Sequence, residues 1–186
     1  MPNVIPIDAR YGASESEWAH LDILLGLTQD LLPVVSNPNA IVSPNSAIKD
    51  VGKLPSVYNQ QGQVAGFSGW TQYIASPDDI DRWSRQKDYG ICIQTRRVRA
   101  IDVDITDEST AAQIAQFIRA QGYVLPKRFR ANSSKFLLVF ELPGDYTKRK
   151  FKCEHGIIEF LATGQQFIAL GRHTSGAQYE WDGGLP

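Results

Sequence analysis

The sequence predicts an α+β fold built on a mainly antiparallel sheet. Its elements follow the order helix, loop, helix, strand pair, helix and then three further strands, and the first two strands are only three residues apart. With 186 residues, 42% of them hydrophobic, the chain is long enough to form one well-packed core. We expect one domain over residues 1–181, with a helical and loop part to about residue 88 and a sheet-forming part over 89–181. Residues 182–186 resemble the start of a linker to a further domain.

The N-terminal region is predicted to contain one amphipathic helix and a long loop. Apolar residues with helical spacing favour a helix over 15–32, and Pro33 is expected to end it. From Pro33 to Trp70, frequent Pro, Asn, Ser and Gly residues argue against long regular elements. A loop of this length in a compact domain is often functional.

Two further helices have recognisable start signals. Ser76, Pro77 and Asp79 are typical of an N-cap, a first-turn proline and an acidic third residue, so a helix is predicted from there to about Asp88. Asp107 can cap the other helix, which covers an apolar periodic stretch and ends at a glycine.

Five apolar runs of suitable length are predicted to be strands. Residues 89–94 and 98–105 are separated by three residues, which predicts an antiparallel hairpin. Residues 136–142, 156–161 and 167–170 are expected to form buried strands.

The run VRAIDVDI at residues 98–105 places two carboxylates on one face of a strand. Because side chains alternate across a strand, Asp102 and Asp104 face the same side as Ala100, while the larger apolar residues face the other side. Two ionised carboxylates this close repel each other, and a cation between them would remove that cost. The ions that suit oxygen ligands are Mg²⁺ and Mn²⁺. The alternative is that both acids lie on the solvated face of an antiparallel sheet.

Two other segments carry side chains suited to the same site. Glu159 is a lone acid in the apolar run GIIEFL, where it either shares the metal or faces solvent or an arginine. In RFRANSSK, Ser133 and Ser134 can donate hydrogen bonds to triphosphate oxygens and Lys135 adds a compact positive charge. That segment is otherwise an ordinary polar turn. Three acids with a basic phosphate contact are what two-metal phosphoryl or nucleotidyl transfer requires.

Charge is locally concentrated, although the formal net charge is −1. The net charge argues against a protein that coats nucleic acid by bulk positive charge. The first two of three basic clusters predict a basic groove around the acids; alternatively, each cluster is a solvated strand end or loop. His173 lies between two glycines on a turn, where it can contact a ligand, and Arg172 adds charge beside it. The clusters are Arg96, Arg97 and Arg99; Lys127, Arg128 and Arg130; and Lys148, Arg149, Lys150 and Lys152.

The order and spacing of these segments resemble the catalytic domain of the primase-polymerase family, within the archaeo-eukaryotic primase superfamily, particularly its phage and plasmid members. The resemblance covers about residues 52–181. The matching positions are Gly52, Lys53, Pro55, Gly69, Trp70, Trp83, Asp102, Asp104, Ser133, Ser134, Lys135, Glu159, Gly164, Gln165, Gln166, Gly171, His173, Gly176, Tyr179 and Trp181.

The resemblance implies a fold and a metal site. An RNA-recognition-motif-like sheet is expected to carry the site, with an N-terminal α/β part packed beside it to form a cleft. Asp102, Asp104 and Glu159 look like the ligands of two Mg²⁺ or Mn²⁺ ions, and Ser133 and Lys135 occupy the phosphate-binding motif. Many superfamily members have a histidine at the position of Lys135, so this chain keeps the positive charge without a titratable ring.

The implied activity is template-directed nucleotidyl transfer to a 3′-hydroxyl, as a DNA primase, a polymerase or both, in phage or plasmid replication. The expected partners are a single-stranded DNA template, a primer, NTP or dNTP, and a C-terminal helicase or primer-competence region. Further nucleotide contacts are expected from Ser134, Arg130, Gln166 and His173, and nucleic-acid contacts from Lys53, Arg97, Arg128 and Arg172.

Other functions fit parts of the pattern. A metal-dependent nuclease or a glycosyltransferase of the DxD type would use the same acids, and a non-catalytic nucleic-acid-binding module would keep the fold without turnover. The sequence has no apolar run long enough to cross a membrane and no secretory signal at its start, so we expect a cytoplasmic protein. The two cysteines, Cys92 and Cys153, argue for reduced thiols and against a structural zinc site.

Overall fold

The structure, a computed structural model, describes residues 10–186 as two packed antiparallel sheets with three α-helices and a small hairpin. Every pairing between its named strands is antiparallel, so the predicted α+β class is confirmed. The likeness to an RNA-recognition motif stays a prediction. The helices are α1 Glu15–Ala19, α2 Pro77–Ser84 and α3 Glu108–Ala120. The strands are β1 Leu31–Val35, β2 Ser56–Tyr58, β3 Val64–Gly66, β4 Tyr89–Gln94, β5 Val98–Ile105, β6 Lys127–Phe129, β7 Phe136–Glu141, β8 Arg149–Cys153, β9 Gly156–Leu161, β10 Gln166–Leu170 and β11 Glu180–Trp181.

The larger sheet has the strand order β11-β6-β7-β5-β9-β8, which places β5 near its centre. The two faces of β5 differ as predicted. Val103 and Ile105 pack with Ala111 of α3 in one apolar cluster. Ala100, on the other face, belongs to the main core with residues of the smaller sheet. Asp102 and Asp104 continue the Ala100 face beyond that core, because side chains alternate along the strand.

The smaller sheet has the order β1-β4-β10, and its central strand β4 is buried along its whole length. The predicted hairpin between β4 and β5 is therefore wrong, because the two strands belong to different sheets. The chain changes sheet at Thr95, which donates from its backbone N–H to the Gln165 carbonyl at 3.0 Å and from its hydroxyl to the Ala162 carbonyl. β4 is buried between β1 and β10, and β5 lies between β7 and β9, so neither strand pairs with its neighbour in the sequence. The predicted division near residue 88 stays a prediction, although this sheet takes strands from both sides of it.

The predicted helix over 15–32 is wrong in its C-terminal part. After α1 the chain forms a π-helical turn over His20–Leu24 and a 3₁₀ turn over Thr28–Asp30, and then enters β1. Gly26, with φ of 60°, interrupts the helical spacing. Pro33 lies inside β1, where it is tolerated because β1 is an edge strand.

The two predicted helix starts are confirmed. The Ser76 hydroxyl accepts from the Asp79 backbone N–H, and the Asp79 carboxylate accepts from the Ser76 N–H at 3.0 Å, which forms a capping box. α2 ends at Ser84, four residues before the predicted end. The Asp107 carboxylate caps α3 by accepting from the Thr110 N–H at 2.7 Å.

Strand β8 was not predicted, because all of its residues are exposed and it contains no apolar run. It forms one edge of the larger sheet, and among the described strands it pairs only with β9. The short strands β6 and β11 at the opposite side were also missed. No helix within residues 10–186 combines the length and the apolar character that crossing a membrane requires.

The predicted basic groove is wrong for Arg99, which is fully buried. Its guanidinium donates to three backbone carbonyls, those of Thr95, Leu142 and Gly144, and lies 5.6 Å from the ring centroid of Tyr146. Arg99 therefore joins the turn between the two sheets to the segment that follows β7.

Replacement of Arg99 tests this structural role. Arg99→Lys loses most of the guanidinium donors and leaves buried carbonyls unpaired, so we expect the free energy of unfolding to fall by about 1–3 kcal/mol. Arg97→Lys, at a partly exposed position two residues away, is the matched control and is expected to change it by less than about 0.5 kcal/mol. Urea unfolding measures both. Equal stability of the Arg99 variant and the wild type would contradict the role.

Candidate active site

The pairing of β5 with β9 brings three acids onto one face of the larger sheet. Asp102 lies directly opposite Glu159, and Asp104 lies two residues further along β5 on the same face. The neighbouring strand β7 offers only Leu137 opposite Asp102. The acids therefore lie at the end of an apolar face, where the core gives way to polar side chains.

Lysine ammonium groups neutralise two of the three carboxylates. The Lys135 Nζ lies 2.5 Å from Asp104 Oδ1, and the Nζ atoms of Lys148 and Lys150 lie 3.2 and 3.3 Å from the two Glu159 oxygens. The Asp102 carboxylate forms no hydrogen bond and no ion pair within the part of the chain that the structure describes. Of the three acids, Asp102 is therefore the one that no lysine neutralises directly.

The pKa of Asp102 is raised above its usual value of 3.8. Burial is the main cause, because it disfavours the charged form, and the carboxylates of Asp104 and Glu159 raise the pKa further. The positive charges of Arg128 and Lys135 act in the opposite direction. A divalent cation at the acids would stabilise the ionised form of Asp102.

The donor chemistry of this site fits a hard divalent cation. Asp102, Asp104 and Glu159 supply only carboxylate oxygens, which suit Mg²⁺ or Mn²⁺, and Asp102 is half-buried without a partner. Within residues 10–186, however, no three His, Cys, Asp or Glu side chains already converge on one point. The Glu159 carboxylate is engaged by its two lysines, so joining a metal would require it to leave them. Ligation by these three residues stays a prediction.

A cavity of about 410 Å³ opens beside Asp102 and Asp104. Its lining contains two acids, and the other lining residues are basic or aromatic. Of the residues on which the predicted basic groove rested, Arg128 and Arg130 line the cavity. Lys53, Lys135 and His173 line it as well. Its remaining lining residues are Phe129, Phe136 and Tyr179.

Arg128 is held rigidly at the cavity wall. Its guanidinium stacks on the ring of Tyr179, 4.3 Å from the centroid, and one Nη donates to the Ile168 carbonyl at 2.5 Å. Its Nε is buried and has no hydrogen-bond partner within the described residues. Sequence reasoning gave no role to Tyr179, although the residue was among the matching positions. The sequence pattern that could have indicated a role for Tyr179 is an aromatic residue shortly after the basic, glycine-rich turn at residues 171–176.

His173 is kept neutral by its surroundings. Burial, followed by the charges of Arg130 and Lys53, lowers its pKa to about 4. Its Nδ1 accepts from an Arg130 Nη at 2.6 Å and from the Ser175 backbone N–H at 3.0 Å. The proton of the neutral ring is therefore on Nε2, which makes His173 an uncharged donor at the cavity.

Gln166 lies behind the cavity wall and binds the segment that carries Lys53. Its Nε2 donates to the Lys53 carbonyl at 3.0 Å, and its Oε1 accepts from the Cys92 thiol at 2.8 Å. Gly52, with φ of 71°, donates to the Val35 carbonyl at 2.7 Å. A Cβ at Gly52 would lie only 2.6 Å from the carbonyl oxygen of Arg172, so this position requires glycine.

The two predicted serine contacts have different surroundings. Ser134 donates to the Ile105 carbonyl at 2.7 Å and thereby ties the turn after β6 to the end of β5. The Ser133 hydroxyl accepts from the Lys135 backbone N–H at 3.2 Å. Both serines line a smaller cavity of about 220 Å³ against α3, which shares Lys135 with the larger cavity.

Two predicted nucleic-acid contacts lie outside the cavity. Arg97 pairs with Glu141 at 3.1 Å and donates to the Leu25 carbonyl, between the sheets and the N-terminal region. Arg172 lies 5.5 Å from the ring centroid of Tyr11 and donates to the Gly176 carbonyl. Conversely, the contacts of Lys148 and Lys150 with Glu159 were missed. The sequence pattern that could have indicated these contacts is the alternation of lysines in KRKFK at residues 148–152, which places them on one side of an extended segment.

The family model for the N-terminal domain of bifunctional DNA primase/polymerase matches residues 9–185. The chain belongs to this family. A search of curated proteins finds no individual relative that matches it. Membership in the primase/polymerase family confirms the resemblance stated above and points to a nucleotidyltransferase that acts on DNA. The acids and the basic cavity are thus the candidate active site of a primase/polymerase domain.

The isosteric substitution Asp102→Asn tests whether Asp102 is a destabilising carboxylate in the absence of metal. Because its folded-state pKa is raised, ionisation of Asp102 lowers stability as the pH rises above 3.8, and this loss persists at neutral pH. We expect the variant to melt at or above the wild-type temperature in EDTA at pH 7. Asp107→Ala, which removes a helix cap, is the matched control and should lose about 1 kcal/mol. A lower melting temperature for Asp102→Asn would show that Asp102 is a structural partner.

The protonation of His173 can be measured by NMR. We expect its ring to titrate near pH 4 with the Nε2–H tautomer, and Arg130→Gln to raise this pKa by removing a nearby positive charge. Since the folded-state pKa lies below 6.5, this residue lowers stability as the pH falls from 6.5 towards 4. His173→Gln assigns the resonance. A midpoint at 6.5 in the wild type would contradict the neutral assignment.

Proposed function

We propose that this domain catalyses template-directed addition of nucleotides to a 3′-hydroxyl, with two Mg²⁺ or Mn²⁺ ions held by Asp102, Asp104 and Glu159. The observation that carries the proposal is the cavity in which two acids meet a basic wall. Bound ions would lower the pKa of the attacking hydroxyl and neutralise charge on the departing pyrophosphate. The resemblance to phage and plasmid members of the family supports a role in phage or plasmid replication and a partnership with a helicase or primer-competence region.

The basic wall has the properties of a triphosphate site. Arg128 and Arg130 present planar guanidinium groups, and Lys135 presents a compact ammonium beside Asp104. The neutral His173 can donate from Nε2 to a sugar or phosphate oxygen without adding charge. Lys53 reaches the same cavity from the opposite segment, where it can contact the template or the triphosphate.

A nuclease would use the same acids but would need no contacts to a triphosphate. In hydrolysis the nucleophile is water, and the basic residues beyond Lys135 would have no triphosphate to bind. The number and convergence of the cationic groups therefore favour transfer from a nucleoside triphosphate.

Extension of a 5′-labelled primer on a single-stranded template tests this function. We expect growth with Mg²⁺ or Mn²⁺ and the four dNTPs, and complete loss in the double variant Asp102→Ala, Asp104→Ala. Asp107→Asn, which keeps the α3 cap outside the cavity, is the matched control and should retain activity. Parallel reactions with NTPs measure sugar preference. Metal-dependent shortening of the primer, or an unchanged primer in every condition, would contradict the proposal.

The substitution Lys135→Gln tests the phosphate contact. Loss of a charged hydrogen bond to a phosphate corresponds to about 1.5–3 kcal/mol, so KM for dNTP should rise by roughly 10- to 100-fold. Lys49→Gln, an exposed lysine outside the cavity, is the control and should leave KM unchanged. An unchanged KM in the Lys135 variant would place the triphosphate elsewhere.

A further inference from the structure

Strand β8 carries Lys150 and Lys152, and Lys148 immediately precedes it beside Glu159. The nucleotidyl-transfer account does not use this row of lysines. β8 is the outermost strand of the larger sheet on the side of β9, and every residue in it is exposed. We propose that Lys148, Lys150 and Lys152 bind the phosphate backbone of a single DNA strand that lies across this side of the sheet. One part of this proposal rests on the proposed function, namely that the bound DNA strand leads towards the acids.

The strand register places these lysines on the same face as the acids. Lys150 lies opposite Glu159, which in turn lies opposite Asp102 on β5. Lys152 lies opposite Ile157, the partner of Asp104. Because alternate residues share a face, the lysine row and the acids form one continuous surface across β8, β9 and β5.

The lysine row has more positive charge than its surroundings neutralise. Glu159 accepts contacts from both Lys148 and Lys150, so two ammonium groups share one carboxylate. Lys152 forms no ion pair within residues 10–186. An ammonium group has three donors, so Lys148 and Lys150 can contact a phosphate both beside Glu159 and after a metal has displaced them from it. Excess positive charge on an exposed face is the requirement for binding a nucleic-acid backbone.

The arrangement along β8 argues for a ligand on one face. Edge-strand lysines also prevent sheets from pairing with one another, but that role does not depend on which face they occupy. Here the lysines alternate with Arg149, Phe151 and Cys153, which occupy the opposite face. Alternate residues on a strand repeat about every 6.6 Å, so the row presents regularly spaced charges to a polyanion.

Salt-dependent DNA binding tests the proposal without catalysis. Binding of a 5′-fluorescein single-stranded oligonucleotide is followed by anisotropy in EDTA at several salt concentrations. For the triple variant Lys148→Gln, Lys150→Gln, Lys152→Gln we expect weaker binding and a slope of log K against log salt that is smaller by about 2, at 0.7 for each contact. Arg149→Gln, on the opposite face of the same strand, is the matched control and should keep the wild-type slope. Melting curves confirm that the variants are folded.

Three results would contradict DNA binding by the lysine row. One is a triple variant with the wild-type slope, and another is an Arg149 variant that loses as much slope as a lysine does. The third is self-association of the triple variant on a sizing column with DNA binding unchanged. In that case the lysines would only prevent β8 from pairing with another sheet. If the wild type and the variants show the expected salt dependence but the wild type extends no primer, the proposed function is refuted while DNA binding by the lysine row is supported.

Discussion

The direct opposition of Asp102 and Glu159 across β5 and β9 is the constraint on which the rest of the site depends. Like charges facing each other on neighbouring strands destabilise a sheet, so such a pair persists only with cations nearby. In this chain the cations come from several segments: Lys135 after β6, Lys148 and Lys150 at β8, and Arg128 at β6. Of the three acids, only Asp102 has a carboxylate without a direct partner among residues 10–186, and it lines the cavity.

The charges are segregated by the type of structure that carries them. The acids lie on paired strands, whose geometry is fixed by the register, whereas most cavity cations come from strand ends and turns. Arg128 is immobilised by Tyr179, and the Lys53 segment is held by Gln166. His173 lies among these cations as a neutral ring, so the basic wall contains a donor that adds no repulsion. A wall built in this way can receive a polyanionic substrate without rearranging its scaffold.

Local signals in the sequence predicted the elements that local physics determines. The capping residues Ser76 and Asp107 and the alternating run of β5 were sufficient for α2, α3 and the shared face of the acids. The β4–β5 hairpin failed because strand partners are chosen by burial across the whole chain. β8 escaped notice because an exposed edge strand has no apolar pattern. Arg99 resembled its exposed neighbours in the sequence, and only the tertiary structure shows that three carbonyls surround it.

The most direct test of the account is a count of bound Mn²⁺ by EPR, in the presence of a non-hydrolysable dNTP. The account predicts two Mn²⁺ ions for each chain, with loss of at least one in Asp102→Asn and no loss in Asp107→Asn. The lysines on Asp104 and Glu159 are expected to give way to the metal, because a divalent ion neutralises opposed carboxylates more effectively than single ammonium groups do. Absence of Mn²⁺ binding in the wild type, or an unchanged count in Asp102→Asn, would contradict the account.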